Sequence, residues 1–284
     1  MTEHVRADGD ALAIRGAGGA GGAGGAGVVV GAATDVGRLR TVNEDGYLAI
    51  VPAFVVVDGM GGHAAGRMAT QAALDALYPL VGTTVTSVEA VVRAVRAAQE
   101  AIVAIPSHSA YLPGATIAGV VLACLEDERG ATRPTWIIFN IGDARVYLLR
   151  DGTLSQVTRD HSRVQILIET GELTSEQARR DPRRNIVTRA LGGGIADSAV
   201  PDLYSVPVAS GDRLLVCSDG LSDELDDEAI ATVLAAGYTV QRTAELLVGA
   251  SLEGGGHDNT TAVVVDSAEV PGAVPVDALA GRVR

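Results

Sequence analysis

Apolar runs of strand type that border acidic residues recur along the chain and limit the folds it can adopt. In the clearest case, residues 54–57 read Phe-Val-Val-Val and are followed at once by Asp58 and Gly59. Such residues favour a buried strand, and glycine permits a positive φ or a close approach of backbone to a ligand. A lone Asp-Gly pair usually marks a turn, but here the pattern repeats. The sequence therefore predicts a β-rich core with carboxylates at strand ends.

Three more aspartates occupy comparable positions. Asp143 and Asp219 each come just after an apolar run, and Asp258 lies just before one. These positions are far apart in sequence, so only folding could bring them together. For Asp143, a simple turn at the end of a strand is the alternative interpretation.

Two stretches of helical periodicity follow the first acidic strand. Apolar residues recur at helical spacing over residues 64–80 and again over 88–105. Thr86 and Glu89 have the spacing of an N-terminal capping box for the second helix. Strand runs interrupted by paired helices, rather than strict strand–helix alternation, favour an α+β fold with largely antiparallel sheets.

Low-complexity segments flank one central domain. Residues 1–27 contain a Gly/Ala repeat and are predicted to be an N-terminal tail, and residues 267–284 are predicted to be a C-terminal tail. The repeat contains the G-x-G-x-x-G spacing of a dinucleotide-binding loop, but more glycine follows it instead of an amphipathic helix. The chain also has no lysine. We therefore expect residues 28–266 to form the ordered domain and disfavour a nucleotide-binding protein.

Residues 159–195 differ from the rest of this domain and are predicted to be a helical insertion. Residues 164–168 are amphipathic, and Thr174 and Gln177 have the spacing of a second capping box. The same segment contains a cluster of arginines: Arg179, Arg180, Arg183 and Arg184. We interpret this cluster as a solvated face, with a clamp for substrate as the alternative.

Composition argues against several classes of partner. The formal net charge is -13 and the isoelectric point is about 4.7, which opposes binding to nucleic acid or to an anionic membrane. Both cysteines lie in apolar stretches, which favours reduced thiols and a reducing compartment. The N-terminus shows no leader-like pattern, and no apolar run approaches the roughly 18 residues of a membrane span. We expect a cytoplasmic protein.

Four acidic residues together suggest a metal site. They are Asp45, Asp58, Asp219 and Asp258. If these side chains converge, each ionised pair would repel by about 4 kcal/mol at about 4 Å, unless cations or protons intervene. Oxygen ligands without a histidine or cysteine cluster suit Mg²⁺ or Mn²⁺ better than zinc. Two such ions could activate a water for attack on phosphorus, and the nearby Arg40 could bind the phosphate.

Six motifs in a fixed order carry a family resemblance. They are Arg40-x-x-Asn43-Glu44-Asp45, Asp58-Gly59-Met60-Gly61-Gly62-His63-x-x-Gly66, Gly114-x-Thr116, Ile141-Gly142-Asp143-x-Arg145, Cys217-Ser218-Asp219-Gly220-Leu221 and Gly256-x-Asp258-Asn259. On these motifs the chain resembles the metal-dependent protein serine/threonine phosphatases of type 2C, particularly the bacterial members. The resemblance covers about residues 28–266. It implies a four-layer αββα sandwich with two central, mostly antiparallel β-sheets between pairs of helices.

The resemblance also implies the roles of individual residues. The implied ligands of two Mn²⁺ or Mg²⁺ ions are Asp45, Asp58, the Gly59 carbonyl, Asp219 and Asp258, with Glu44 acting through water and Asp143 binding a weaker third ion. Arg40 would contact the substrate phosphate, and residues 159–195 would form a flap beside the site. The candidate catalytic residues are Arg40, Asp58 and His63. A water is the alternative to His63 as general acid.

The function that the resemblance implies is hydrolysis of phosphoserine and phosphothreonine on proteins. A water that bridges the ions would attack phosphorus, and the substrates would be products of bacterial serine/threonine kinases in signalling. The alternative is a regulatory or binding module with the same fold and little turnover, but the complete set of implied ligands weighs against it. We expect a monomer that binds phosphorylated proteins and neither nucleic acid nor membrane.

Overall fold

The computed structural model describes residues 12–15, 27–62, 64–107, 112–127, 129–195 and 200–267. Most of residues 1–27 and nearly all of residues 267–284 lie outside these ranges, so both tails remain predictions. His63 also lies outside the described residues. In the part of the chain that is described, no helix combines the length and apolar character needed to cross a membrane.

Runs of strands are interrupted by groups of helices along the described residues. The strands are β1 Leu12–Arg15, β2 Val28–Asp35, β3 Asp45–Ile50, β4 Ala53–Met60, β5 Gly114–Glu126, β6 Thr132–Ile141, β7 Arg145–Arg150, β8 Thr153–Gln156, β9 Leu191–Gly192, β10 Asp202–Pro207, β11 Arg213–Cys217 and β12 Thr260–Ser267. The helices are α1 Ala64–Leu77, α2 Val88–Val103, α3 Arg163–Glu169, α4 Ser175–Arg179, α5 Asp219–Ser222, α6 Asp227–Ala235 and α7 Val240–Gly254. A short 3₁₀ turn, Tyr78–Leu80, follows α1.

The strands form two sheets. The first has the order β1-β3-β4-β5-β6-β10, with β9 paired to β5, and the second has the order β2-β12-β11-β7-β8. Every pairing is antiparallel except that of β1 with β3. The chain passes from the first sheet to the second at the turn between β6 and β7, which contains Asp143.

Three apolar clusters separate four layers. Along β4, Phe54 and Val56 point into the cluster between the two sheets. Val55 and Val57 point to the other face, where α1 and α2 cover the first sheet. A third cluster lies between the second sheet and helices α5, α6 and α7. Both faces of each sheet are therefore buried, which explains continuous apolar strands and confirms the αββα prediction.

Local hydrogen bonds confirm one predicted capping box and contradict the other. In α4, the Thr174 hydroxyl accepts from the Gln177 backbone and the Gln177 side chain accepts from the Thr174 backbone. The N-cap of α2, however, is Ser87, so the prediction for Thr86 is wrong. The preceding Val85 forms a β-bridge with Ala123, and this tertiary pairing keeps the chain extended before the helix begins.

Four strands differ from the sequence prediction. Strand β4 continues beyond Asp58 to Met60, because β5 supplies pairing partners as far as Gly114. Strands β9 and β10 were not predicted, and neither was β1, which lies within the predicted tail 1–27. Strand β1 pairs with β3, whose unpaired edge groups offer hydrogen bonds to an added strand.

Candidate metal centre

The cross-strand register of β3 and β4 places two predicted ligands side by side. Asp45 and Asp58 are direct partners across the pair. Asp45 is fully buried, and its Oδ2 accepts hydrogen bonds from Ser218 Oγ at 2.8 Å and Thr261 Oγ1 at 2.7 Å. Its Oδ1 is buried and has no hydrogen-bond partner among the described residues. Hydroxyls of the second sheet thus orient an aspartate of the first.

The second sheet brings the other aspartates to the same end of the sandwich. Asp219 opens α5 directly after β11, and Asp258 lies just before β12. One cleft of about 320 Å³ is lined by most of the predicted site, namely Arg40, Glu44, Asp58, Gly59, Asp143, Asp219 and Asp258. Asp45 lies buried beneath it. The structure therefore brings together every predicted metal ligand, while His63 lies outside the described residues.

Close backbone packing positions Glu44 and Gly59. The Gly59 amide donates to the Glu44 carbonyl at 3.3 Å, and Thr70 Oγ1 donates to the same carbonyl at 2.7 Å. A Cβ on Gly66 would clash with Glu44 Oε1 and with the Gly59 carbonyl. The absence of a side chain at Gly66 thus permits α1 to approach the two proposed ligands, Glu44 and the Gly59 carbonyl.

Asparagine and threonine side chains hold the loop that carries Glu44. Asn259 Oδ1 accepts from the Glu44 amide at 2.8 Å, and its Nδ2 donates to the carbonyls of Val36 and Val42. Asn43 Oδ1 accepts from the Asp45 amide, and its Nδ2 donates to Thr34. Sequence reasoning assigned these residues no role. Asn43 and Asn259 stand inside the motifs, which was an available signal.

Arg40 lies at the rim of the cleft with about half of its side chain exposed. Its Nη2 donates to Asp258 Oδ2 at 2.6 Å. A guanidinium has five N–H donors, so this bond leaves donors for a second anionic group. The contact fits two roles, a phosphate-binding group and an organiser of Asp258.

Burial shifts the titration of the carboxylates toward the protonated form. It raises the pKa of Asp45 to about 6 and that of Asp143 to about 7. The pKa values of Asp58 and Asp219 lie well above the usual range, first because of burial and then because neighbouring carboxylates repel the charge. A divalent cation among these groups would reverse the effect and favour their ionised forms.

The donor set fits a hard divalent cation. Asp45 Oδ1 and Asp219 Oδ1 are buried carboxylate oxygens without hydrogen-bond partners among the described residues, and metal coordination would satisfy them. No group of three or more acidic, histidine or cysteine side chains in the described ranges is arranged tightly enough to hold an ion as it stands. A bound cation would therefore require these side chains to move closer together.

The raised pKa of Asp143 predicts how stability changes with pH in excess chelator. From about pH 4 to 7, Asp143 ionises in the unfolded chain, whose pKa is near 4, while the folded protein keeps the proton because its pKa is about 7. Ionisation lowers the free energy of the unfolded state but not that of the folded state, so the free energy of unfolding falls as the pH rises. The Asp143→Asn variant has no ionisable group at this position. We therefore expect its melting temperature to fall less than that of wild type over this pH range. If the melting temperatures of wild type and variant changed equally with pH, the buried, protonated state of Asp143 would be contradicted.

Within the predicted flap, residues 159–195, the chain forms α3, α4 and β9, and β9 pairs with β5 of the first sheet. Asn185 and Val187 of the flap line the cleft. Three of the four clustered arginines are exposed, namely Arg180, Arg183 and Arg184. Arg183 forms an ion pair with Asp181 at 2.8 Å. Both observations agree with a solvated face. The prediction does not hold for Arg179, which is half-buried and donates to backbone carbonyls outside the flap.

Comparisons with known proteins agree with this geometry. The family model described as protein phosphatase 2C matches residues 39–252. The serine/threonine protein phosphatase PstP of Mycobacterium tuberculosis is 38% identical over 240 residues, which cover 83% of this chain and 44% of PstP. The serine/threonine phosphatase stp of Listeria monocytogenes is 32% identical over 246 residues, covering 82% of this chain and 93% of that protein. The chain thus spans less than half the length of PstP.

Solved structures show the same architecture. The crystal structure of the M. tuberculosis PstP/Ppp phosphatase has a TM-score of 0.76 and 36% identity, covering 85% of this chain and 99% of that one. The PstP catalytic domain in complex with two manganese ions has a TM-score of 0.74 and 35% identity, with the same coverage. Stp1 from Staphylococcus aureus has a TM-score of 0.74 and 26% identity, covering 89% of this chain and 99% of that one.

Proposed function

The chain belongs to the protein phosphatase 2C family, and on this basis we propose that it is a metal-dependent phosphatase acting on phosphoserine and phosphothreonine in proteins. One observation carries the proposal. Asp45 and Asp58 are partners across the first sheet, and Asp58 lines one cleft together with Asp219 and Asp258, which adjoin strands of the second sheet. The buried Oδ1 atoms of Asp45 and Asp219 have no hydrogen-bond partner among the described residues.

We propose that two Mn²⁺ or Mg²⁺ ions are held by Asp45, Asp58, the Gly59 carbonyl, Asp219 and Asp258. Glu44 would act through water, and Asp143 would serve a weaker third ion. Such ions, when bound, lower the pKa of a shared water and neutralise charge on the phosphoryl oxygens. Support comes from the oxygen-only donors and from the two manganese ions in the complex of the PstP catalytic domain.

The chain's own groups would orient these ligands and the substrate. Ser218 and Thr261 both donate to Asp45 Oδ2, and Asp45 Oδ1 has no hydrogen-bond partner among the described residues. Asn259 holds the backbone of Glu44 in place. Arg40 can contact a phosphate while it keeps its bond to Asp258, because its guanidinium has donors to spare. Asp58, which is the cross-strand partner of Asp45 and lines the cleft, is the proposed catalytic carboxylate.

The proposed substrates are proteins that bacterial serine/threonine kinases have phosphorylated. The open cleft with an arginine at its rim suits a phosphorylated side chain that protrudes from a protein surface. The net charge of -13 disfavours nucleic acid and anionic membranes as partners, and we propose a cytoplasmic monomer. The alternative, a binding module without turnover, is opposed by the complete set of proposed ligands.

Hydrolysis of a phosphothreonine peptide tests this function. We expect phosphate release with Mn²⁺ or Mg²⁺, no release in excess chelator, and no recovery with zinc, since the proposed ligands are hard oxygens. Full activity in chelator would contradict the metal-dependent mechanism. Tight binding of Mn²⁺ and phosphopeptide without phosphate release would favour the binding module.

A further inference from the structure

The flap is closed at its neck by backbone pairing. Ser162 and Val187 form an antiparallel bridge, and the Arg163 amide donates to the Ile186 carbonyl at 2.8 Å. At the same neck, the Thr188 amide donates to the His161 carbonyl at 2.7 Å. The intervening residues, including α3 and α4, therefore form a lobe whose far end needs a separate contact to stay beside the cleft.

Arg179, at the end of α4, supplies such a contact. Its Nη1 and Nη2 donate to the Leu225 carbonyl at 3.2 and 3.3 Å, and Nη1 lies 3.5 Å from the Ser222 carbonyl. Ser222 ends α5, and Leu225 follows it closely, so these carbonyls lie where a helix leaves acceptors unsatisfied. Helix α5 begins with Asp219. The arginine thus joins the flap to the element that carries a proposed metal ligand.

Neighbouring contacts keep α4 in a position where this bond can form. Ala178 is buried, and the capping box of Thr174 fixes the start of α4. A weaker ion pair, with Arg184 Nε 3.5 Å from Asp223 Oδ2, lies on the same side. Arg180, in contrast, is exposed.

We propose that Arg179 is a positioning residue that anchors the flap and so fixes one wall of the groove for phosphoprotein substrates. Arg179 and Asn185 line a depression that adjoins the metal cleft, and Asp258 borders both. A peptide bound through its phosphate would extend from the cleft into this depression. A small phosphate ester would occupy the cleft alone. This inference rests on the proposed phosphatase function.

Arg179→Ala should therefore separate large substrates from small ones. We expect KM for a phosphothreonine peptide to rise about 10-fold, the equivalent of about 1.4 kcal/mol, which is just below the range for a hydrogen bond that involves a charged group. KM and kcat for a small aryl phosphate, and the Mn²⁺ titration, should stay within about twofold of wild type. Arg179→Lys keeps a cationic donor and should recover most of the peptide KM. Arg180→Ala is the matched control and should behave like wild type.

Limited trypsin digestion provides a readout that does not depend on activity. Trypsin cuts after arginine, and Arg183 and Arg184 are exposed in the flap. Release of the anchor should speed cleavage at these two sites in Arg179→Ala, while Arg180→Ala and Arg179→Lys should be cut at about the wild-type rate. Circular dichroism and melting temperature of each variant would show that the domain itself remains folded.

The two readouts decide the proposal. Wild-type digestion rates together with an unchanged peptide KM in Arg179→Ala would overturn it. Equal losses on peptide and aryl phosphate with a weakened Mn²⁺ titration would also overturn it, because Arg179 would then act on Asp219 instead of the flap. If wild-type protein hydrolysed neither substrate, the proposed function would fail, and the digestion rates would still test the anchor.

Discussion

Asp58→Asn is expected to lower kcat for phosphopeptide hydrolysis by about 100-fold or more, a barrier increase of about 2.7 kcal/mol. The substitution keeps the shape of the side chain but removes an anionic oxygen from the proposed metal cluster. Asp219→Asn should have a similar effect, since Asp219 lines the same cleft. In both variants the Mn²⁺ titration should shift to higher concentration. Steady-state kinetics across a range of Mn²⁺ concentrations measures both effects.

Neither variant should unfold the protein. Burial and repulsion from neighbouring carboxylates raise the pKa of Asp58 and Asp219 well above the usual range, so a neutral amide suits these positions when chelator is present. The melting temperature in chelator should stay at or above that of wild type. Asp151→Asn is the matched control, because Asp151 belongs to another Asp-Gly pair, in the exposed hairpin turn between β7 and β8. Normal turnover with a normal Mn²⁺ titration would remove the substituted residue from the site.

Arg40→Ala is expected to lower kcat/KM for a phosphopeptide by about 10- to 100-fold, as the loss of charge-assisted hydrogen bonds worth about 1.5–3 kcal/mol would do. The guanidinium would bind phosphate in both the ground and transition states, so KM should rise and kcat should fall less. Arg40→Lys retains the charge but loses the planar fork and should recover only part of the loss. Arg38→Ala is the matched control, since Arg38 is exposed in the same loop.

The bond from Arg40 to Asp258 makes the Mn²⁺ titration the decisive companion measurement. We expect metal affinity to change little in Arg40→Ala, because Asp258 keeps its charge and its bond from the Asn259 amide. A large loss of metal affinity would instead assign Arg40 the role of organising Asp258. Unchanged KM and kcat would exclude the phosphate-binding role.

Sequence patterns indicated an α+β fold with buried strands and the ligand types of the site, whereas the four-layer arrangement was implied only by the family resemblance. Residues 54–57 are apolar at every position, and such runs appear when both faces of a strand are buried, as the clusters on either side of β4 confirm. Aspartates beside these runs indicated oxygen ligands and hence a hard cation. These inferences depend on local composition and spacing, which a single sequence shows directly.

The boundaries of individual helices and strands were predicted less accurately from the sequence. The N-cap of α2 moved from the predicted Thr86 to Ser87 because Val85 pairs with a distant strand. Strand β1 formed within the predicted N-terminal tail, just before its Gly/Ala repeat, because β3 offered a free edge. In both cases a partner remote in sequence decided the local conformation, which propensity alone does not reveal.

Only the tertiary structure decided which side chains form hydrogen bonds with one another and with distant backbone groups. The bond from Ser218 to Asp45 spans 173 positions of the chain, and the bond from Thr261 to Asp45 spans 216. Arg179 looked like part of a solvated cluster, yet it donates to carbonyls at the end of α5 and just beyond it. A sequence specifies these groups but not their separation, because sheet order and strand register set that separation. The ligand types were therefore determined locally, whereas their orientation and the anchoring of the flap arose from packing between the two sheets.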